Sequence, residues 1–312
     1  MWDKTLKKIN HTTTPHHAAK LWNADDNSVI LISNGINLVY RFEVNGLGKF
    51  LRMTHPNIRS YNESISAIDY QKHLFENAAP ICKPVQSKSG NYIEEIIQDD
   101  LHFLAHVAEE VPGEIAHFEH EDAYFYQTWG QSLAKLHKAA KSYHPKANLH
   151  FKTWKDIWNE NTTYLSAENA ILKNKFNMMT EWLNTQNCTE INFGLTHGDH
   201  RPGNVLYDGK QVYIIDFDEP VYHWFIADIA RPFLELSNRP FDEWKQKLDW
   251  FVHGYRSIYP INDKQLKDIH RFIQMKSIGI YLWCKNNWFE PTAPGGKPRN
   301  QWLEELEQIA LK

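Results

Sequence analysis

Short apolar runs divided by glycine turns open the chain, and longer runs with helical spacing close it. Val29-Ile-Leu-Ile-Ser33, Leu38-Val-Tyr-Arg-Phe-Glu-Val44 and Lys49-Phe-Leu-Arg-Met53 read as strands, separated by Asn34-Gly35 and Asn45-Gly-Leu-Gly48. Three short strands joined this way predict an antiparallel sheet. Residues 61–77 carry apolar side chains at 65, 68 and 74–75 and no Gly or Pro. That spacing predicts a helix opened by Ser60 or Asn62 and stopped before Pro80. Residues 84–94 read as strand, turn and strand, and 101–108 as a further apolar run. The polar segment 1–28 predicts a helix and a loop.

Glu109-Glu-Val-Pro-Gly113 breaks the pattern and is the best domain boundary, dividing 1–108 from 114–312. Beyond it, Tyr126, Trp129, Leu133, Leu136 and Ala140 recur at a helical period within 122–142. Residues 153–184 predict one or two Trp-rich helices, and 241–258 and 264–287 two more. A Pro/Gly loop at 291–298 precedes an acidic terminal helix. Asn204-Val-Leu-Tyr and Val212-Tyr-Ile-Ile215 flank the turn at 207–210 and predict a hairpin.

The chemistry gathers on that hairpin. Leu195-Thr-His-Gly-Asp-His-Arg-Pro-Gly-Asn204 leads in, and Asp216-Phe-Asp218 leads out. Transfer of a nucleotide's terminal phosphoryl group needs a carboxylate to receive a hydroxyl proton, and an Asn and a second carboxylate to hold Mg²⁺. His197-Gly-Asp199, Asn204 and Asp216 supply that inventory in order. Asp228, alone among apolar neighbours in 224–231, must accept hydrogen bonds to be tolerated.

His-x-Asp-(x)4-Asn followed by Ile-Asp-Phe-Asp resembles the catalytic segment of the aminoglycoside phosphotransferase and choline kinase-like family. The resemblance implies an α+β, bilobal, protein-kinase-like fold: a small antiparallel-sheet lobe binding ATP, and a larger, mainly helical lobe binding an acceptor. It implies Asp199 as catalytic base, and Asn204 and Asp216 as Mg²⁺ ligands. Ser33, Gly35 and Asn37 become the loop over the phosphates, Arg52 the phosphate cation, and Glu110 and Val111 the hinge backbone that receives adenine. Asp218 would assist a second metal or the acceptor, and Asp228 would brace the loop of Asp199. Gly130-Gln-Ser-Leu-Ala-Lys-Leu-His137 is typical of the first helix of the large lobe, with His137 as a packing residue.

Two departures stand out. The family's phosphate-binding cation is usually Lys, and the helical Glu that pairs with it would fall at Ala67; Glu63 lies one turn earlier. Neither the Walker pattern nor Gly-x-Gly-x-x-Gly is present.

The remaining composition narrows the field. A net charge of −4 leaves no basic footprint for nucleic acid. No apolar run approaches the roughly 20 residues of a membrane span, and 1–8 lack an apolar signal core, so the expectation is a cytoplasmic protein. Cys82, Cys188 and Cys284 are scattered, which argues against a disulfide framework or zinc cluster. The sequence carries no signal of oligomeric state. The expected reaction is ATP-dependent phosphorylation of a small-molecule hydroxyl on an amino alcohol, aminoglycoside or sugar-like acceptor. A protein Ser/Thr kinase and a silent nucleotide-binding module are the alternatives. A metallohydrolase built on His197, Asp199 and His200 lacks the His that its signature requires at Leu195. The acidic run from Glu109 to Asp122 suits a cationic partner or a solvated helix start equally.

Overall fold

The computed structural model describes residues 9–98, 101–120, 122–293 and 296–312. The start of the polar N-terminal segment (1–8), Glu121 of the acidic run and positions 294–295 of the Pro/Gly loop lie outside the described residues. The chain forms two compact units. The first comprises Met1–Glu114, Tyr143–Phe151 and Tyr213–Asp218; the second comprises Ile115–Ser142, Lys152–Val212 and Glu219–Lys312.

The first unit is built on an antiparallel sheet. After helix α1 (Thr13–Lys20) come β1 (Ile30–Asn34), β2 (Leu38–Val44) and β3 (Leu47–Thr54), then helix α2 (Tyr61–Glu76) and strands β4 (Pro84–Val85), β5 (Ile93–Gln98) and β6 (Leu101–Glu109). Strand order is β1-β2-β3-β6-β4, with β5 also on β6. Leu38, Tyr40 and Phe42 alternate inward with Leu51 and Met53, and they pack with Ala18, Ala19 and Trp22 beside α1. Arg52 points to the other face, paired across the sheet with Val39 and His106. β3 starts earlier than the sequence suggested, because Asn45 and Gly46 alone make the turn at φ 54° and 75°, the left-handed pair of a tight hairpin. Ser60 and Glu63 form a reciprocal cap at the start of α2. Two distant segments complete this unit. Tyr143 donates to Asp69 (2.9 Å), and the Ile214 N–H donates to the Pro80 carbonyl (2.9 Å).

The second unit is mainly helical. It follows β7 (Glu114–Ile115) with α3 (Ala123–Ala140), β8 (Lys152–Thr153), α4 (Trp154–Glu160), α5 (Ala170–Asn184), β9 (Phe193–Thr196) and β10 (Val205–Tyr207). The chain visits the first unit through most of β11 (Val212–Ile214), then returns as β12 (Val221–Trp224) and α6 (Phe225–Phe233). The remainder is α7 (Phe241–Arg256), α8 (Asp263–Lys267), α9 (Ile269–Asn287) and α10 (Arg299–Leu311). The helix expected over 264–287 is therefore two, because Asp268 leaves helical geometry at ψ 2°. β12 lies between β8, which runs parallel to it, and antiparallel β9. Helices α3 and α7 touch backbone to backbone: a Cβ on Gly130 would sit 2.0 Å from the Phe251 carbonyl oxygen, and one on Gly254 would sit 2.0 Å from that of Gln127.

Candidate active site

In the second unit, β9 delivers the chain into the loop His197-Gly-Asp199, and buried groups fix that loop. The Asp228 carboxylate at the start of α6 accepts from the His197 N–H (2.7 Å) and the Gly198 N–H (3.1 Å), as its apolar setting in the sequence required. His137 Nε2 lies 3.2 Å from the same carboxylate. A carboxylate only accepts, so Nε2 carries the proton and Nδ1 accepts from the Tyr255 hydroxyl at 2.8 Å. Burial raises the Asp228 carboxyl pKa, but His137 outweighs it and holds the group well below the ordinary range. Gly198 has φ 86°, and a Cβ there would fall 1.9 Å from the Glu219 carbonyl oxygen. Only glycine fits this turn.

His200 is buried, and both its ring nitrogens are spent. The Trp129 indole donates to Nε2 (2.9 Å), leaving Nδ1–H to donate to the Asp228 carbonyl (3.0 Å). Burial pushes its pKa down to about 4, so it is neutral. With no lone pair left it cannot ligate a metal, and no cluster of three His, Cys, Asp or Glu suited to a metal occurs among the described residues. The metallohydrolase reading fails on that geometry.

Asp199 is held at both oxygens. Arg231, at the end of α6, donates Nε to Oδ1 (3.0 Å), and Arg201 donates Nε to Oδ2 (3.1 Å). Burial raises its pKa, but these guanidinium groups bring the carboxyl below its usual range. Asn204 donates Nδ2 to the Asp199 carbonyl (2.9 Å) and carboxylate (3.3 Å). Its Oδ1 accepts no hydrogen bond among the described residues and remains a hard oxygen donor. Lys276, from α9, reaches the Gly198 carbonyl oxygen at 2.8 Å. Arg201, Arg231 and Lys276 have no role legible in the sequence pattern alone. The first two stand within segments already singled out, one of them a turn beyond Asp228, whereas Lys276 carries no local signal.

In the first unit, Arg52 is the centre of a charge cluster. Its Nη2 lies 2.9 Å from Asp216 Oδ1 and 2.7 Å from Asp218 Oδ2. Asn37 donates to Asp218 Oδ2 (3.0 Å) and accepts from Thr54 (2.7 Å). Burial raises the Asp218 pKa, but Arg52 and Arg59 bring it below the ordinary carboxylate value. Arg52 Nε is buried without a hydrogen-bond partner, an orphan donor that a phosphate oxygen suits. Arg52 thus rests on the Asp216-Phe-Asp218 segment rather than on α2, where Ala67 is buried and the Glu63 carboxylate caps the helix. Asp216 sits at φ 69°, a strained conformation of the kind that concentrates at functional sites.

Ser33 is exposed at the end of β1, and the Gly35 N–H closes the bend on the Asn37 carbonyl (3.2 Å). The Glu110 N–H is committed to the Gly48 carbonyl (3.1 Å), and its carboxylate clamps Arg41 (2.9 Å). The Val111 backbone makes no backbone hydrogen bond among the described residues. Within the acidic run Glu109 also pairs with Lys83 (3.7 Å) and Asp122 caps α3, while Glu114 and Glu119 are exposed.

A model of the phosphotransferase enzyme family (APH) matches residues 29–256. The chain belongs to that family. Amicoumacin kinase of Bacillus subtilis (strain 168) is 24% identical over 293 residues, covering 89% of this chain and 86% of that protein. Among solved structures, amicoumacin kinase hAmiN in complex with AMP-PNP, Ca²⁺ and Ami superposes with a TM-score of 0.85 at 22% identity, covering 99% of this chain and 96% of that one. A microcompartment-associated aminopropanol kinase gives 0.76 at 18%, covering 96% and 95%. Spectinomycin phosphotransferase with ADP and its antibiotic gives 0.60 at 14%, covering 97% and 94%. The fold is the expected α+β kinase-like one, with the antiparallel sheet N-terminal and helices C-terminal. Like other members of its family, the chain is a phosphotransferase. No helix among the described residues is long and apolar enough to cross a membrane.

Proposed function

We propose that this phosphotransferase, a cytoplasmic protein, moves the γ-phosphoryl group of ATP to a hydroxyl of a small molecule, an amino alcohol, aminoglycoside or sugar-like acceptor. One observation carries the reading: Asp199 is an ionised carboxylate fixed at both oxygens by Arg231 and Arg201, on a loop fixed in turn by Asp228. An incoming hydroxyl would replace the longest of these contacts, Asn204 Nδ2 on Oδ2 at 3.3 Å. The related structures hold small-molecule ligands, which favours such an acceptor over a protein.

The roles follow from the side chains. Asp199 accepts the acceptor's O–H and aims its oxygen; with its pKa held low, it orients the nucleophile more than it withdraws the proton early. Arg52 presents a guanidinium, with Nε unpaired, to the phosphate oxygens. Asp218 and Asn37 keep that cation in place. Ser33 and Gly35 lie over the phosphates, and the Val111 backbone, with Glu110 beside it, receives the adenine. The donor set fits Mg²⁺: Asn204 Oδ1 and the Asp216 carboxylate are oxygen ligands of the type that ion takes. When bound, it neutralises charge on the phosphate oxygens.

ADP release measured with ATP, Mg²⁺ and a panel of candidate alcohols and amino alcohols tests the proposal. Acceptor-dependent release should fall about 10²–10⁴-fold in Asp199→Ala. Release that is undiminished in that variant refutes the assignment.

A further inference from the structure

Lys276 is the cation that nothing in the reaction scheme requires. It stands on α9, outside the span matched by the family model. Its neighbours Met275, Ser277 and Ile278 are buried. Its ammonium makes one hydrogen bond among the described residues, to the Gly198 carbonyl oxygen at 2.8 Å. Burial pulls its pKa down and Arg231 lowers it further, against the carboxylates of Asp228, Asp199 and Glu219, which raise it. The side chain is half-buried and carboxylates lie in its surroundings, yet its one hydrogen bond among the described residues goes to a neutral backbone carbonyl. That single bond falls on the loop that carries Asp199.

The Gly198 carbonyl belongs to the peptide unit that joins Gly198 to Asp199, so its tilt sets the direction in which Asp199 leaves the backbone. On one side of that unit the Gly198 N–H is held by Asp228 (3.1 Å); on the other the Asp199 carbonyl is held by Asn204 (2.9 Å). We propose that Lys276 is a positioning residue, which clamps the Gly198–Asp199 peptide from α9 and so fixes the aim of Asp199. The inference rests on the phosphoryl-transfer reading for its catalytic consequence, but the clamp itself does not.

Lys276→Met and Lys276→Arg, in the full chain, test it by two readouts. The first is hydrogen exchange of the His197 and Gly198 amides without nucleotide. The Met variant should exchange there about tenfold faster, the loss of one charged hydrogen bond, and the Arg variant should restore most of the protection. The second is steady-state ADP release, with water or the best acceptor. The Met variant should lose about 10²-fold in kcat, the scale of a misaimed group, while KM for ATP stays within about twofold and Arg recovers most of the loss. Unchanged exchange in the Met variant overturns the proposal. So does exchange accelerated across the whole chain and not restored by Arg, because Lys276 then merely packs. A wild-type protein without any ATP turnover refutes the phosphoryl-transfer reading instead, and the exchange result then decides the clamp alone.

Discussion

Replacing Asp228 by Asn probes the support of the catalytic loop with a single atom. The carboxylate is 1% exposed and serves three donors: the His197 N–H and His137 Nε2 on Oδ2, and the Gly198 N–H on Oδ1. An amide has one oxygen. Turned toward His197, it sets its NH₂ against the Gly198 N–H; turned the other way, it strands two donors. At best, one charge-assisted bond is lost and a buried N–H is unsatisfied, together about 3–5 kcal/mol. Relief of the buried charge offsets part of this, for a net loss of about 3 kcal/mol. Against a usual stability of about 5–15 kcal/mol, urea titration should show a midpoint lowered by about 1 M, for a slope near 3 kcal/mol/M. The variant's kcat should fall by about 10²-fold, with KM for ATP little altered, because Asp199 loses its aim. A midpoint within about 0.2 M of wild type would show that the loop does not depend on this carboxylate, and the reasoning would be wrong.

Three further outcomes follow from other parts of the molecule. Arg52→Lys keeps the charge but loses the unpaired Nε and the planar group whose Nη2 meets both Asp216 and Asp218; KM for ATP should rise about tenfold, measurable by initial rates or calorimetric titration. Gly130→Ala gains helix propensity, yet its methyl would strike the Phe251 carbonyl at 2.0 Å; calorimetry should show a loss of about 1–3 kcal/mol, and a gain would contradict the packing described. His200 and His223 are buried with pKa values pushed by burial down to about 4 and about 3. Both stay neutral when folded and take up protons when unfolded, so their contribution is full above about 6.5 and is lost as pH falls. By pH 4 each should have cost about 3 kcal/mol. Asp228 acts lower, losing its contribution only below the ordinary carboxylate value of 3.8, so a stability curve flat from 7 to 4 would refute the histidine assignments.

The fold was legible where local chemistry is strong. The Gly turns announce the three strands they separate, and Ser60 announces its helix start. The apolar neighbours of Asp228 showed that it must accept hydrogen bonds, and the family resemblance implied that the loop of Asp199 supplies them. What stayed hidden depends on tertiary placement. No spacing relates Lys276 to Gly198, 78 positions earlier, and Arg52 to Asp218 is a similar leap. Glu63 looked available for Arg52 by its helical face, but the cap claims it. Asn37 looked like a phosphate-loop residue, while its amide holds Asp218.

The bare crossing of α3 and α7 has a further consequence. Trp129 and His137, which hold His200 and Asp228, flank Gly130 on one helix, and Tyr255, which holds His137, adjoins Gly254 on the other. The thickness of two missing methyl groups therefore works as a shim beneath the loop that carries Asp199. Thickening it would retune turnover from a position that touches neither reactant.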